Sequence, residues 1–130
     1  MLSRRNNLLA LLAVLVLLAV AAGVEAAEID TDIVFSNGST FVDYKCTLTN
    51  LGTKLIDANF TITNSAGILE KNQAINNISP GVTASSVVFG DDAGGVWCRV
   101  SGNFSKSTAR VTLQLIDTGS GITQVIVPGK

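Results

Sequence analysis

The chain has 130 residues, of which 15% are charged, and a net charge of −1 at pH 7. That length allows one domain with one core, and the small net charge gives no electrostatic reason to bind nucleic acid. Histidine is absent, which excludes Ser-His-Asp and Cys-His catalysis and removes the commonest metal ligand.

The N-terminal segment has the features of an export signal. Arg4 and Arg5 precede an apolar run over residues 8–22, and small residues follow as far as Ala26. A charged start, an apolar stretch of about 15 residues and a small-x-small ending describe a secretory signal peptide. We therefore predict a signal helix over residues 1–26 that is cleaved after Ala26, and a secreted or periplasmic protein. An uncleaved membrane anchor is the alternative, because the apolar run reaches the short end of the spanning length.

Cleavage would leave residues 27–130 as a single domain with seven basic and nine acidic side chains. Such a surface has no electrostatic attraction for anionic lipid, so we expect no membrane binding once the signal is removed.

The mature chain begins with short segments that alternate between apolar and polar residues, as strands do. Residues 28–35 predict an edge strand with Ile33 and Phe35 on one face, and residues 36–39 predict a turn. Two longer strands follow at residues 41–50 and 54–63. Their predicted inward residues are Val42, Tyr44, Cys46 and Leu48 in the first, and Ile56, Ala58, Phe60 and Ile62 in the second.

The middle of the chain alternates less regularly. Residues 68–75 predict a further strand, with Ile75 and Ile78 packing under a loop at the end of the domain. Ser79-Pro80-Gly81 predicts a turn, since Pro fixes φ and Gly can take the left-handed conformation. In residues 82–89 either face could be inward, and the larger apolar area of Phe89 favours the set Thr83, Ser85, Val87 and Phe89.

Three strands complete the chain after a glycine-rich loop from Gly90 to Gly95. In the first of them Val96, Cys98 and Val100 point inward, which leaves Trp97 and Arg99 on the opposite face. Residues 122–127 make the last strand. The strand between these two has an inward face of Ala109, Val111, Leu113 and Leu115.

Seven or eight short strands without helical periodicity predict an all-β, antiparallel sandwich. Cys46 and Cys98 are the only cysteines, and in an exported chain they predict one intramolecular disulfide, with two free buried thiols as the alternative. Two inward cysteines about fifty residues apart resemble the inter-sheet bridge of an immunoglobulin-like sandwich. Trp97 does not match the buried tryptophan of antibody domains, because it faces away from Cys98.

A second resemblance lies in the turns. Asn50-Leu51-Gly52, the alternating strand after it and the turn Ser79-Pro80-Gly81 resemble the cell-adhesion-related bacterial immunoglobulin-like domains, over the stretch from Tyr44 to Phe89. The resemblance implies a β-sandwich with no catalytic residues. Domains of that kind usually occur as modules of long surface proteins.

Carboxylates are the remaining candidates for chemistry. Asp30 with Asp32, and Asp91 with Asp92, have the oxygen ligands that Ca²⁺ takes, but no calcium-loop spacing is present. We interpret these pairs as solvated turn and edge residues, and we predict no metal and no cofactor.

Trp97 and Arg99 are the best candidates for a binding patch. Tryptophan and arginine are enriched among interface anchors, and the two residues alternate on one strand face. The alternative is a tryptophan covered by a neighbouring side chain such as Phe104 or Arg110.

The sequence thus predicts an exported, non-catalytic β-sandwich protein that binds a protein or glycan partner or has a structural role in the bacterial envelope or outside the cell. One alternative is a secreted inhibitor or effector that presents the loop from Gly90 to Gly95 to an enzyme. Another is an enzyme that uses carboxylates alone. The sequence indicates no particular oligomeric state.

Overall fold

The computed structural model describes residues 26–36, 42–89 and 94–130. The predicted signal helix lies outside these residues. Nine strands are present in the described part, against seven or eight predicted, because the N-terminal segment forms two short strands. The strands are β1 Ala27–Asp30, β2 Val34–Phe35, β3 Val42–Asn50, β4 Ile56–Asn64, β5 Leu69–Ile78, β6 Thr83–Val88, β7 Gly95–Gly102, β8 Ala109–Asp117 and β9 Thr123–Pro128, with a 3₁₀ turn at Lys106–Thr108 between β7 and β8.

The strands form two antiparallel sheets. Sheet 1 has the order β1-β7-β4-β5, and β2 pairs with β7 further along the edge that β1 occupies. Sheet 2 has the order β6-β3-β8-β9. The chain therefore changes sheet between β3 and β4, between β5 and β6, and between β7 and β8. The prediction of an all-β, two-sheet protein is confirmed.

The core lies between the two sheets and is built from the predicted inward faces of β3, β4, β7 and β8. Alternate residues of these strands are buried while their neighbours are more exposed, as the pleat of a strand requires. These predictions are confirmed by the buried residues, which are Val42, Tyr44, Cys46, Leu48, Ile56, Ala58, Phe60, Ile62, Val96, Cys98, Val100, Ala109, Val111, Leu113 and Leu115.

One disulfide joins the middle strands of the two sheets. Cys46 lies on β3 and Cys98 on β7, both side chains are fully buried, and their Cα atoms are 6.2 Å apart. The predicted pairing is confirmed.

The predicted inward face of β6 is wrong. Register pairs Ser86 with Cys46 and Val88 with Tyr44, and residues directly opposite in an antiparallel pair share a face. Ser86 is accordingly buried and Val88 packs against the core. Phe89 lies beyond the last paired residue and is 75% exposed, so its large apolar area does not decide which face turns inward.

Ser86 provides a first prediction, because its hydroxyl is buried beside the disulfide and has no hydrogen-bond partner among the described residues. A buried hydroxyl that makes no bond costs desolvation energy without return. We expect Ser86→Ala to leave the free energy of unfolding in denaturant unchanged or to raise it by up to about 1 kcal/mol. Thr47→Val is the matched control: the Thr47 and Thr112 hydroxyls are 2.6 Å apart, so this change should lower stability. A loss above about 1 kcal/mol in Ser86→Ala would show that the hydroxyl is bonded.

The N-terminal edge also differs from the prediction. Ile29 and Val34 are the buried residues, whereas Ile33 and Phe35 face outward. The strand is interrupted at Thr31, whose hydroxyl accepts a hydrogen bond from the Cys98 amide. This interruption between β1 and β2 lets two residues an odd number of positions apart both face the core.

In β5 the prediction is partly right, because the strand continues as far as Ile78 instead of ending at Ile75. Ile78 is buried and Ile75 packs against the core from within the strand, not under a loop.

The sandwich has two ends, which we name by their turns. The β4–β5 end contains the starts of β3, β5, β7 and β9 and the finish of β2, β4, β6 and β8. The β3–β4 end contains the opposite strand ends.

Asn50 organises the β3–β4 end. Its side-chain amide donates to the carbonyls of Lys54 and Ile78, at 2.8 and 2.9 Å, and its side-chain oxygen accepts from Gly52 N at 2.9 Å. Its backbone also pairs with the Pro80-Gly81 turn, where Gly81 has the predicted left-handed φ of 77°. The two turns that carry the sequence resemblance are therefore hydrogen-bonded to each other through one fully buried asparagine.

Candidate functional site

Trp97 and Arg99 lie side by side on the outer face of sheet 1. The core fixes this orientation, because Val96, Cys98 and Val100 on the same strand point between the sheets. Both outward residues are half-buried. The structure thus brings together the two residues that the sequence singled out.

Arg99 is held by carboxylates of the neighbouring strand. Register places Asp30 of β1 directly opposite Arg99, whose Nε and Nη2 donate to the two carboxylate oxygens of Asp30 at 2.7 and 3.0 Å. Nε also lies 3.2 Å from Oε1 of Glu28. The hydrogen bond to Asp30 raises the pKa of Arg99 above its ordinary value, so the guanidinium stays charged.

The Arg99 guanidinium also contacts the Trp97 indole, with its central carbon 5.3 Å from the ring centroid. This distance is within the range of cation–π attraction. Arg99 is therefore restrained on one side by carboxylates and on the other by an aromatic ring. Such a bidentate pair and ring contact hold a long side chain in one geometry, so little conformational entropy remains to be lost when a partner binds.

The carboxylates considered for calcium have cationic partners here. Asp30 binds Arg99, and Asp32 Oδ2 lies 2.6 Å from the Lys130 ammonium. In the described part of the chain, no three His, Cys, Asp or Glu residues are grouped to hold a metal ion. Asp91 and Asp92 lie outside it.

Uncharged side chains surround the pair on the outer face of sheet 1. Thr63 and Thr61 of β4 lie opposite Trp97 and Arg99. Towards the β3–β4 end the face continues into a shallow depression of about 390 Å³. Its lining includes Asn59, Ala74, Asn76, Ser101 and Asn103.

Comparison with models of protein families and with curated proteins finds no match. Among residues 26–36, 42–89 and 94–130, no helix is long and apolar enough to cross a membrane.

The partnership of Arg99 with Asp30 and Glu28 was missed from sequence. Its only signal there is that two acids two positions apart share a strand face, as Trp97 and Arg99 do. The register of β1 on β7, which joins residues 69 apart, determines that these faces meet.

The loop from Gly90 to Gly95 lies mostly outside the described residues. Gly95 itself begins β7, with the Phe35 ring packed against its backbone so closely that an added Cβ would lie 2.6 Å from the ring. An inhibitor or effector role for this loop stays a prediction.

Proposed function

We propose that this protein is an exported, non-catalytic, immunoglobulin-like β-sandwich that binds a protein or glycan partner outside the cytoplasm. The signal-like N-terminus and the disulfide support export, because disulfides persist in oxidising compartments. The lack of histidine in the sequence supports a non-catalytic role.

Strand pairing supports the immunoglobulin-like assignment. That fold pairs its second strand with its fifth and its third with its sixth, and bridges the second and sixth by a disulfide. Here β3 pairs with β6, β4 pairs with β7, and the disulfide joins β3 to β7. The edges differ, since β1 lies along β7 where that fold has its last strand, and β8 lies along β3 where it has its first. The likeness is therefore to the four central strands.

The observation that carries the binding proposal is the preformed cluster of Trp97, Arg99, Asp30 and Glu28. The two carboxylates offset the charge of Arg99, so the cluster offers an indole ring and hydrogen-bonding groups without excess positive charge. Such a surface fits a protein side chain or a sugar better than it fits nucleic acid.

Substitution of Trp97 tests this proposal. We expect Trp97→Ala to weaken binding to the partner at least about ten-fold, because a truncated aromatic anchor typically costs 2 kcal/mol or more. Binding would be measured by capture from envelope extracts and on glycan arrays. Gln114→Ala is the matched control, since Gln114 lies at the middle of sheet 2, opposite Lys45. Equal binding by wild-type protein and by folded Trp97→Ala would remove the face from consideration.

A further inference from the structure

The exposed apolar residues are concentrated at the two ends of the sandwich. At the β4–β5 end, five large apolar side chains are between 55% and 75% exposed: Phe35, Ile68, Leu69, Phe89 and Ile122. The β3–β4 end exposes a smaller group, Leu51, Leu55 and Val82. The backbone bond from Asn50 N to Val82 O joins the two turns that carry this group. Contiguous exposed apolar surface on a small exported domain marks an interaction site.

The described charges differ in sign between the two ends. At the β4–β5 end the acidic residues are Asp43, Glu70 and Asp117. Lys45 and Lys71 lie further along their strands, and the Lys71 ammonium donates to the Val87 carbonyl. The β3–β4 end has Lys54, Lys106, Arg110 and Lys130 against Asp57 and Glu28. One end is therefore apolar and acidic, and the other is apolar and basic.

We propose that the protein associates with further copies of itself head to tail, the β4–β5 end of one copy on the β3–β4 end of the next. The apolar groups would be removed from water at the contact, and the opposite charges would orient the encounter. Because the two contacting surfaces are different, the contact repeats, and it produces an open chain of copies or a ring.

Opposite charge decides in favour of a second copy. An anionic lipid surface is repelled by the acidic end, and two copies joined through the same end would bring like charges together. The arrangement goes beyond the binding face around Trp97, which lies on the side of the sandwich and does not take part in the contact. A chain of copies would display that face repeatedly and raise avidity for a repetitive partner.

Sedimentation velocity of the exported, oxidised protein tests the inference. We expect the weight-average mass to more than double between about 10 μM and about 1 mM, since the end of a small sandwich gives a contact below standard interface size. High salt should weaken the association by screening the charges. Trp97→Ala and Gln114→Ala should associate like the wild type.

Variants blocked at one end provide the decisive test. Ile68→Ser with Phe89→Ser blocks the β4–β5 end, and Leu51→Ser with Leu55→Ser blocks the β3–β4 end. Each blocked protein alone should remain a monomer. Their equimolar mixture should form dimers and nothing larger, because only one pair of complementary ends remains.

Charge exchange gives an independent set of variants should a serine variant fail to fold. Glu70→Lys and Lys54→Glu should each weaken association of the otherwise unchanged protein, and mixing the two should restore one contact. A wild-type protein that stays monomeric over the whole concentration range would overturn the inference. So would a wild type that stops at a dimer, a blocked variant that still associates alone, or a mixture that gives no dimer.

Discussion

Replacing both Cys46 and Cys98 by alanine will lower the free energy of unfolding by about 4 kcal/mol. The link spans 52 residues of sequence, and closing a loop of that length in the unfolded chain accounts for a loss of this size. A small domain has only about 5–15 kcal/mol in total, so the variant should unfold at much lower denaturant concentration. Urea unfolding followed by Trp97 fluorescence and by circular dichroism measures the change.

Wild-type protein reduced with a thiol is the control for this variant. It lacks the link but keeps both sulfur atoms, so it separates the loss of the covalent constraint from the cavity that alanine leaves in the core. We expect the reduced wild type to lose most of the same stability. A loss below about 1 kcal/mol in both proteins would show that the bridge does not constrain the unfolded chain.

Asn50→Ala will have the largest effect of any single polar substitution that we predict, a loss of about 3 kcal/mol. The change leaves two buried carbonyls, of Lys54 and Ile78, and the Gly52 amide without their partner. Each unpaired buried group costs about 1–3 kcal/mol, and relaxation of the two turns recovers part of the sum. Denaturant unfolding measures the loss.

Two further variants sharpen the Asn50 prediction. Asn50→Asp keeps the acceptor for Gly52 but places a carboxylate against two carbonyl oxygens in a fully buried site, so it should be at least as destabilising as alanine. Asn72→Ala, on the exposed face of β5, should change stability by less than about 0.5 kcal/mol. If Asn50→Ala behaved like Asn72→Ala, the hydrogen bonds between the turns would not hold the end together.

Sequence predicted the strands whose pattern has only one solution. In β3, β4, β7 and β8 every second residue is apolar and its neighbours are polar, so burying the other face would expose the whole apolar set. In β6 both faces contain small or branched residues, and the choice is made by the register of Ser86 on Cys46. That register joins residues distant in the chain, so the local pattern of residues 82–89 does not contain it.

The candidate site shows the same division. The outward direction of Trp97 and Arg99 follows from the inward direction of Cys98, which sequence predicted. The ion pair to Asp30 follows from β1 lying along β7 instead of along β3, and nothing in residues 27–30 specifies that choice. The exposure of Phe35 and Phe89 was likewise unpredicted, because the apolar size of a residue does not show whether its strand continues to that position.

Peptide mapping of the exported protein without reduction tests the two-sheet architecture most directly. The expected result is one cross-linked peptide pair, containing Cys46 and Cys98 of the same chain, which places the middle strands of the two sheets face to face. Free thiols at both positions, or links only between separate chains, would contradict it.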